Sequence, residues 1–312
     1  MRGPPQNLEQ AIARLKSFHD DLGVLDVIVY REQAIPPLRT ILFERERSGL
    51  YQTRCRAVEA LSALGADNVL IEFLELERSI TDPIERVGED AVVNAAALAL
   101  ANVRERRVLE LLLRLARRPA LTGVIGALGA FESVEAVPAF IDALEEDASR
   151  LTAERALRKL GQAARAALLR AVDAKAPTAG SESESSARRR RSALRLLAEM
   201  DGSQSLWRDV RHLMHDTDTK LAALACEIGL PRAPASERRA IVRRLIDLLG
   251  GDDWIVREEI EVFLAAHCES VREVIIDYLN EMPRPGDASA AGTQVDAILR
   301  RMIARPQPTP HL

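Results

Sequence analysis

Two histidines three apart, followed at once by two aspartates, form the densest set of potential metal ligands in the chain: His212, His215, Asp216 and Asp218 in HLMHDTD. Imidazole and carboxylate suit zinc or non-haem iron, but a protein zinc site needs three or four such donors. No further His or Cys stands close in sequence, and the same residues suit a helix end followed by a turn and a cap. The pattern predicts no metal and no cofactor. GVIGALG (123–129) has the glycines of a phosphate loop, yet it follows no strand and lacks Walker spacing. Its glycines at i, i+3 and i+6 predict close helix packing instead. Cys55, Cys226 and Cys268 are odd in number, far apart and free of C-x-x-C spacing, which predicts unpaired thiols in a reducing compartment. No Ser/His/Asp or Cys/His constellation can be assembled locally, so the chain reads as non-enzymatic.

The most conspicuous charge block is GSESESSARRRRSAL (180–194), where serines and glutamates run into four consecutive arginines. It falls between one helix expected at about 163–173 and another at about 188–200. Arginines in a helix's first turn oppose its dipole, so they do not serve helix stability. The block is expected to be a solvated insertion, 174–187, neutralised by Glu182 and Glu184, with an acidic protein patch or a phosphate backbone as alternative partners.

Composition narrows the classes. The 312 residues carry net charge −4, with 47% hydrophobic but only 4% aromatic residues, a helix-rich profile. A general nucleic-acid binder is normally basic. The N-terminus has no uninterrupted apolar run and no stretch approaches the roughly 20 apolar residues of a membrane span, so a soluble, cytoplasmic protein without membrane partners is expected.

What positions these residues is an internal repeat. One kind of segment is a short amphipathic helix, often opened by proline: AIPPLRTILFER (34–45), NVLIEFLELE (68–77), RVLELLLRLARR (107–118), AVPAFIDALEED (136–147), AARAALLRAV (163–172), SQSLWRDVRHLM (203–214), RRAIVRRLIDLL (238–249) and SVREVIIDYLNEM (270–282). The other is richer in small residues: TRCRAVEALSALG (53–65), VNAAALALANV (93–103), RPALTGVIGALG (118–129), SRLTAERALRKLG (149–161), RRSALRLLAEM (190–200), LAALACEIG (221–229) and VREEIEVFLAA (256–266). Thr53, Ala57, Ala60, Leu61 and Leu64 make one helical stripe, and Gly65, Gly129, Gly161 and Gly229 are placed to end their helices. Trp207 joins a stripe with Leu206, Val210 and Met214 and reads as core, whereas Trp254 after GDD suits core and exposed anchor equally.

The openings Ala34-Ile35-Pro36-Pro37-Leu38 and Ala136-Val137-Pro138-Ala139-Phe140, with the V-R-x-x-A-x-x-A-L-x-x-L-G pattern of the second helices, resemble the HEAT-repeat family. The small-residue-rich second helices resemble its bilin-lyase-type subclass. The likeness covers roughly 24–282 with a period of about 34. The family's arginine is matched at Arg54, Arg118, Arg150, Arg190 and Arg257, while Asn94 and Asp218 depart from it.

The resemblance implies an all-α chain, a right-handed α-solenoid of about seven to eight helix pairs with the second helices lining the concave side. A solenoid over 1–282 would precede a mobile linker, a final capping helix and a Pro-rich tail over 283–312. Helices 90–103 and 119–131 are small and apolar nearly all round, so either tight packing buries them or a partner helix or extended segment covers Ala95, Ala96, Ala99, Gly123 and Ala127. Some relatives are DNA glycosylases, which would turn Arg155, Arg158, Lys159, Arg188 and Arg195 into a basic nucleic-acid stripe; Glu258, Glu259 and Glu261 oppose that. Iron hydroxylases on this fold use His-Glu pairs, which none of the five histidines forms. The function expected is a protein-interaction scaffold, with nucleic-acid binding and a bilin-lyase-like activity as alternatives.

Overall fold

A computed structural model describes residues 5–17, 23–45, 51–118, 121–175, 182–281 and 290–304. Residues 176–181 of the insertion, most of the expected linker and the Pro-rich tail lie outside the described residues. Among the described residues every regular element is a helix, so the chain is all-α. No helix among them is long and apolar enough to cross a membrane.

Packing divides the chain into two compact units, Met1–Ala167 and Leu168–Leu312. The first holds α1 (Leu8–Leu15), α2 (Gly23–Ile28), α3 (Ile35–Phe43), α4 (Gln52–Ala63), α5 (Asp67–Glu75), α6 (Pro83–Ala99), α7 (Arg106–Leu115), α8 (Thr122–Phe131), α9 (Val137–Ala143) and α10 (Asp147–Leu160). The division falls within α11 (Arg165–Asp173). The second unit continues with α12 (Glu184–Met200), α13 (Gln204–Val210), α14 (Thr219–Arg232), α15 (Ala235–Leu249), α16 (Trp254–Ala266), α17 (Cys268–Glu281) and α18 (Ala290–Ala304).

Within the first unit helices pack in consecutive pairs, α3 on α4, α5 on α6, α7 on α8, α9 on α10. The second helices of these pairs also pack on one another in series, α4 with α6, α6 with α8, α8 with α10. The second unit repeats the scheme, α12 meeting α14 and α14 meeting α16, while α15 packs beside α17. Apolar stripes drive this: α7 buries Val108, Leu109, Leu111 and Leu112, and α4 buries Ala57, Val58, Ala60 and Leu61. Trp207 is buried over the α14 backbone at Gly229, where a Cβ would stand 2.6 Å from the indole Cε3 and closer still to Cζ3.

Several boundaries differ from those expected. Helix α6 begins ten residues before Val93, because Asp82 accepts from the amides of Ile84 and Glu85 and Pro83 takes the first turn. Helix α12 begins at Glu184, capped by Ser183, so Arg188–Arg191 lie beyond the first turn and oppose the dipole little. Gly65 and Gly161 do adopt the left-handed backbone that ends a helix, at φ 68° and 53°. Gly129 and Gly229 instead lie inside α8 and α14, and Glu132 takes the left-handed position after α8.

Candidate partner-binding face

The arginine block is a structural clasp. Arg190 is almost wholly buried, in keeping with its place at the recurrent arginine position of the second helices, so the block is not uniformly solvated. Its Nε donates to the Val172 carbonyl at the end of α11, and its terminal nitrogens reach Glu182 at 2.7 Å and Asp216 at 2.6 Å. Burial disfavours the Asp216 carboxylate, but Arg190, the Asp218 amide and Lys175 outweigh it and hold its pKa well below the carboxylate range. Arg191 pairs with Asp218 at 2.7 Å and Glu184 at 3.0 Å, and Arg189 donates to the Ala174 carbonyl. The glutamates named from sequence are therefore real partners.

The first unit carries the same device. Arg54 on α4 donates Nε to the Leu42 carbonyl near the end of α3 and reaches Glu89 on α6 at 2.6 Å, with Arg78 on the same carboxylate. Sequence alignment of the second helices had placed Arg54 and Arg190 at one position, and both perform one task. The departures are also accounted for. Asn94 Oδ1 accepts from the Gly123 amide at 2.8 Å, and Asp218 accepts from Lys220 and Leu221 at the start of α14.

Of the five small residues expected under a partner, Ala96, Gly123 and Ala127 are buried and offer no surface. A Cβ on Gly123 would stand 2.7 Å from Asn94 Cα, so glycine here is what lets α8 approach α6. Ala95 and Ala99 are half-exposed, and Leu98 between them is 51% exposed. Ile84, Val87, Ala91, Ala95 and Leu98 recur at helical spacing along α6, with Ile84, Val87 and Leu98 exposed.

The basic residues do not fall on one element. Arg155, Arg158 and Lys159 are exposed on α10 of the first unit, where Arg158 approaches Glu154 at 3.7 Å and Lys159 approaches Glu132 at 3.9 Å. Arg188 is half-buried and Arg195 exposed, both on α12 of the second unit.

Sequence reasoning missed an open hollow of about 730 Å³ on α12, α14 and α16. Arg191 and Arg195 line it from α12, Lys220, Leu224 and Glu227 from α14, and Ile255, Glu258, Glu259, Val262, Phe263 and Ala266 from α16. Asp218 and Asp253 cap α14 and α16, and the hollow takes residues two, six and nine beyond each cap: Lys220 and Ile255, Leu224 and Glu259, Glu227 and Val262. That register was legible once the caps were known. Val262 is 65% exposed and Ile255 40%. Burial pushes the Glu227 pKa up to about 7, Glu259 adds to the rise and Arg195 opposes it.

The histidine pair does not converge: His212 meets Asp173 at 2.8 Å, while Asp216 serves Arg190 and Asp218 caps α14. Among the described residues no group of three or more His, Cys, Asp or Glu is placed to hold a metal. Cys226 is buried, and its burial pushes the thiol up to about 12. No protein-family model matches this chain, and no curated protein matches its sequence significantly.

Proposed function

We propose that the chain is a HEAT-like right-handed α-solenoid that binds a protein partner along its row of second helices and performs no chemistry of its own. One observation carries this reading. Among the described residues from α3 to α17, seven of the ten large hydrophobics left exposed lie on second helices: Ile84, Val87 and Leu98 on α6, Leu151 on α10, and Trp254, Ile255 and Val262 on α16, against Leu76 at the end of α5, Val134 just before α9 and Ile276 on α17. Exposed apolar side chains concentrated on one class of helix are what a partner's apolar face requires.

The nucleic-acid alternative draws less support. Arg190 and Arg191 are engaged by carboxylates inside the fold, and Arg189 by a backbone carbonyl. A phosphate backbone would have to compete with those bonds. The bilin-lyase alternative rests on resemblance alone. The test is cross-linked capture from native lysate, with and without nuclease, using the intact chain and its Leu98→Asp and Val262→Asp variants. Both positions are exposed, so helicity is retained while nuclease-resistant protein partners are lost. Identical capture by all three proteins sinks the reading, and recovery dependent on nucleic acid favours the alternative.

A further inference from the structure

The charges lining the hollow on α12, α14 and α16 do not balance internally. Arg191 is held by Asp218 and Glu184, and Lys220 by Asp253 at 3.3 Å. What remains is Glu227, Glu258 and Glu259 against Arg195, three carboxylates facing one guanidinium. Among the described residues neither Glu258 nor Glu259 has an ion-pair partner, and both are exposed. Interleaved with them are Leu224, Ile255, Val262, Phe263 and Ala266.

We infer that this groove docks a cationic amphipathic helix of a partner protein, its apolar face on Ile255, Val262 and Phe263 and its Lys or Arg side chains on Glu227, Glu258 and Glu259. The inference rests on the interaction reading above and adds the partner's chemistry. From Ile255 to Ala266 the α16 wall extends about 16 Å, three helical turns, which accommodates anchors at i, i+3, i+4 and i+7 of a docked helix. The surplus negative charge selects a basic partner and repels an acidic peptide or a phosphate backbone. The charged groups facing Glu227 are Arg191 and Arg195 from α12, Lys220 from its own helix, and Glu258 and Glu259 from α16. An arriving cation relieves the repulsion between Glu227 and Glu259 and draws Glu227 to its ionised form.

The probe is a fluorescent amphipathic helix of Leu and Lys, about four turns long. Its Leu/Glu counterpart and a single-stranded oligonucleotide are titrated in parallel against the full chain by anisotropy. Saturable binding of the Lys helix alone is expected. It weakens about tenfold or more in Val262→Asp and in Glu259→Lys, both exposed positions, but not in Glu273→Lys, an equal charge change on exposed α17. Binding also weakens as pH falls below 7, as Glu227 takes up a proton. Absence of saturable binding, equal binding of the Glu helix or oligonucleotide, or indifference to both groove variants overturns the assignment. Such a result alongside partner capture lost in Leu98→Asp leaves the interaction reading standing and refutes only the occupant assigned to this groove.

Discussion

Replacing Glu227 with Gln isolates the electrostatic cost built into the groove. The folded carboxyl has its pKa raised from 4.5 to about 7, through burial first and Glu259 second. Since the folded value lies above the unfolded one, the folded state takes up a proton between these limits. Below about pH 4.5 both states are protonated and no penalty exists; above about pH 7 both are ionised and the full penalty applies. A shift of that size corresponds to about 3 kcal/mol as an upper bound. The side chain is only partly buried, and solvent screening reduces the cost to about 1–2 kcal/mol. Thermal unfolding followed by circular dichroism at about pH 8 and pH 5 reads this directly, with a gain of about 4 °C for Glu227→Gln at the higher pH and about a quarter of that at the lower. An equal gain at both pH values would show that packing or helix propensity, rather than charge, sets the effect, and destabilisation at pH 8 would refute the reasoning outright.

Other perturbations separate the clasp from the surface. Arg190→Met leaves Glu182 and Asp216 without their buried partner and should cost about 3–5 kcal/mol in urea unfolding, whereas Arg191→Met, less buried, should cost about 1 kcal/mol or less. Asp216 has a folded pKa below its unfolded one, so its contribution is present above about pH 4 and lost as pH falls through the folded value. Acid unfolding of Asp216→Asn should therefore start from lower stability and show a flatter acid limb. Gly123→Ala drives a methyl into the α6 backbone at Asn94 and should cost about 2 kcal/mol, while Gly202→Ala, with open space around it, should change stability little by the same measurement.

Much of the architecture could be read from residue types because both helix classes carry strong 3.6-residue stripes, and the boundaries failed where caps outweighed periodicity. The Asp82–Pro83 pair added turns to α6 that hold Ile84 and Val87, residues no periodic template had included. The arginine that recurs at one position of the second helices is a buried, backbone-bonded residue at both Arg54 and Arg190. Of the two readings of the small apolar helices, tight packing accounts for Ala96, Gly123 and Ala127, which are buried against the fold, and a single sequence does not distinguish such packing from a vacant surface. In the sequence, Glu258 and Glu259 read only as opponents of a basic stripe. Their relation to Glu227 depends on the register of α14 against α16, and register is a tertiary property.

Arg190 bonds the last turn of α11, the lead-in to its own helix α12, and the turn before α14, so one side chain touches three separate stretches of chain. Layers held only by their nearest neighbours can fray one at a time from either end. Arg190 ties α11, the start of α12 and the turn before α14 through one buried side chain, and amide exchange in the second unit should accordingly report these three stretches opening together.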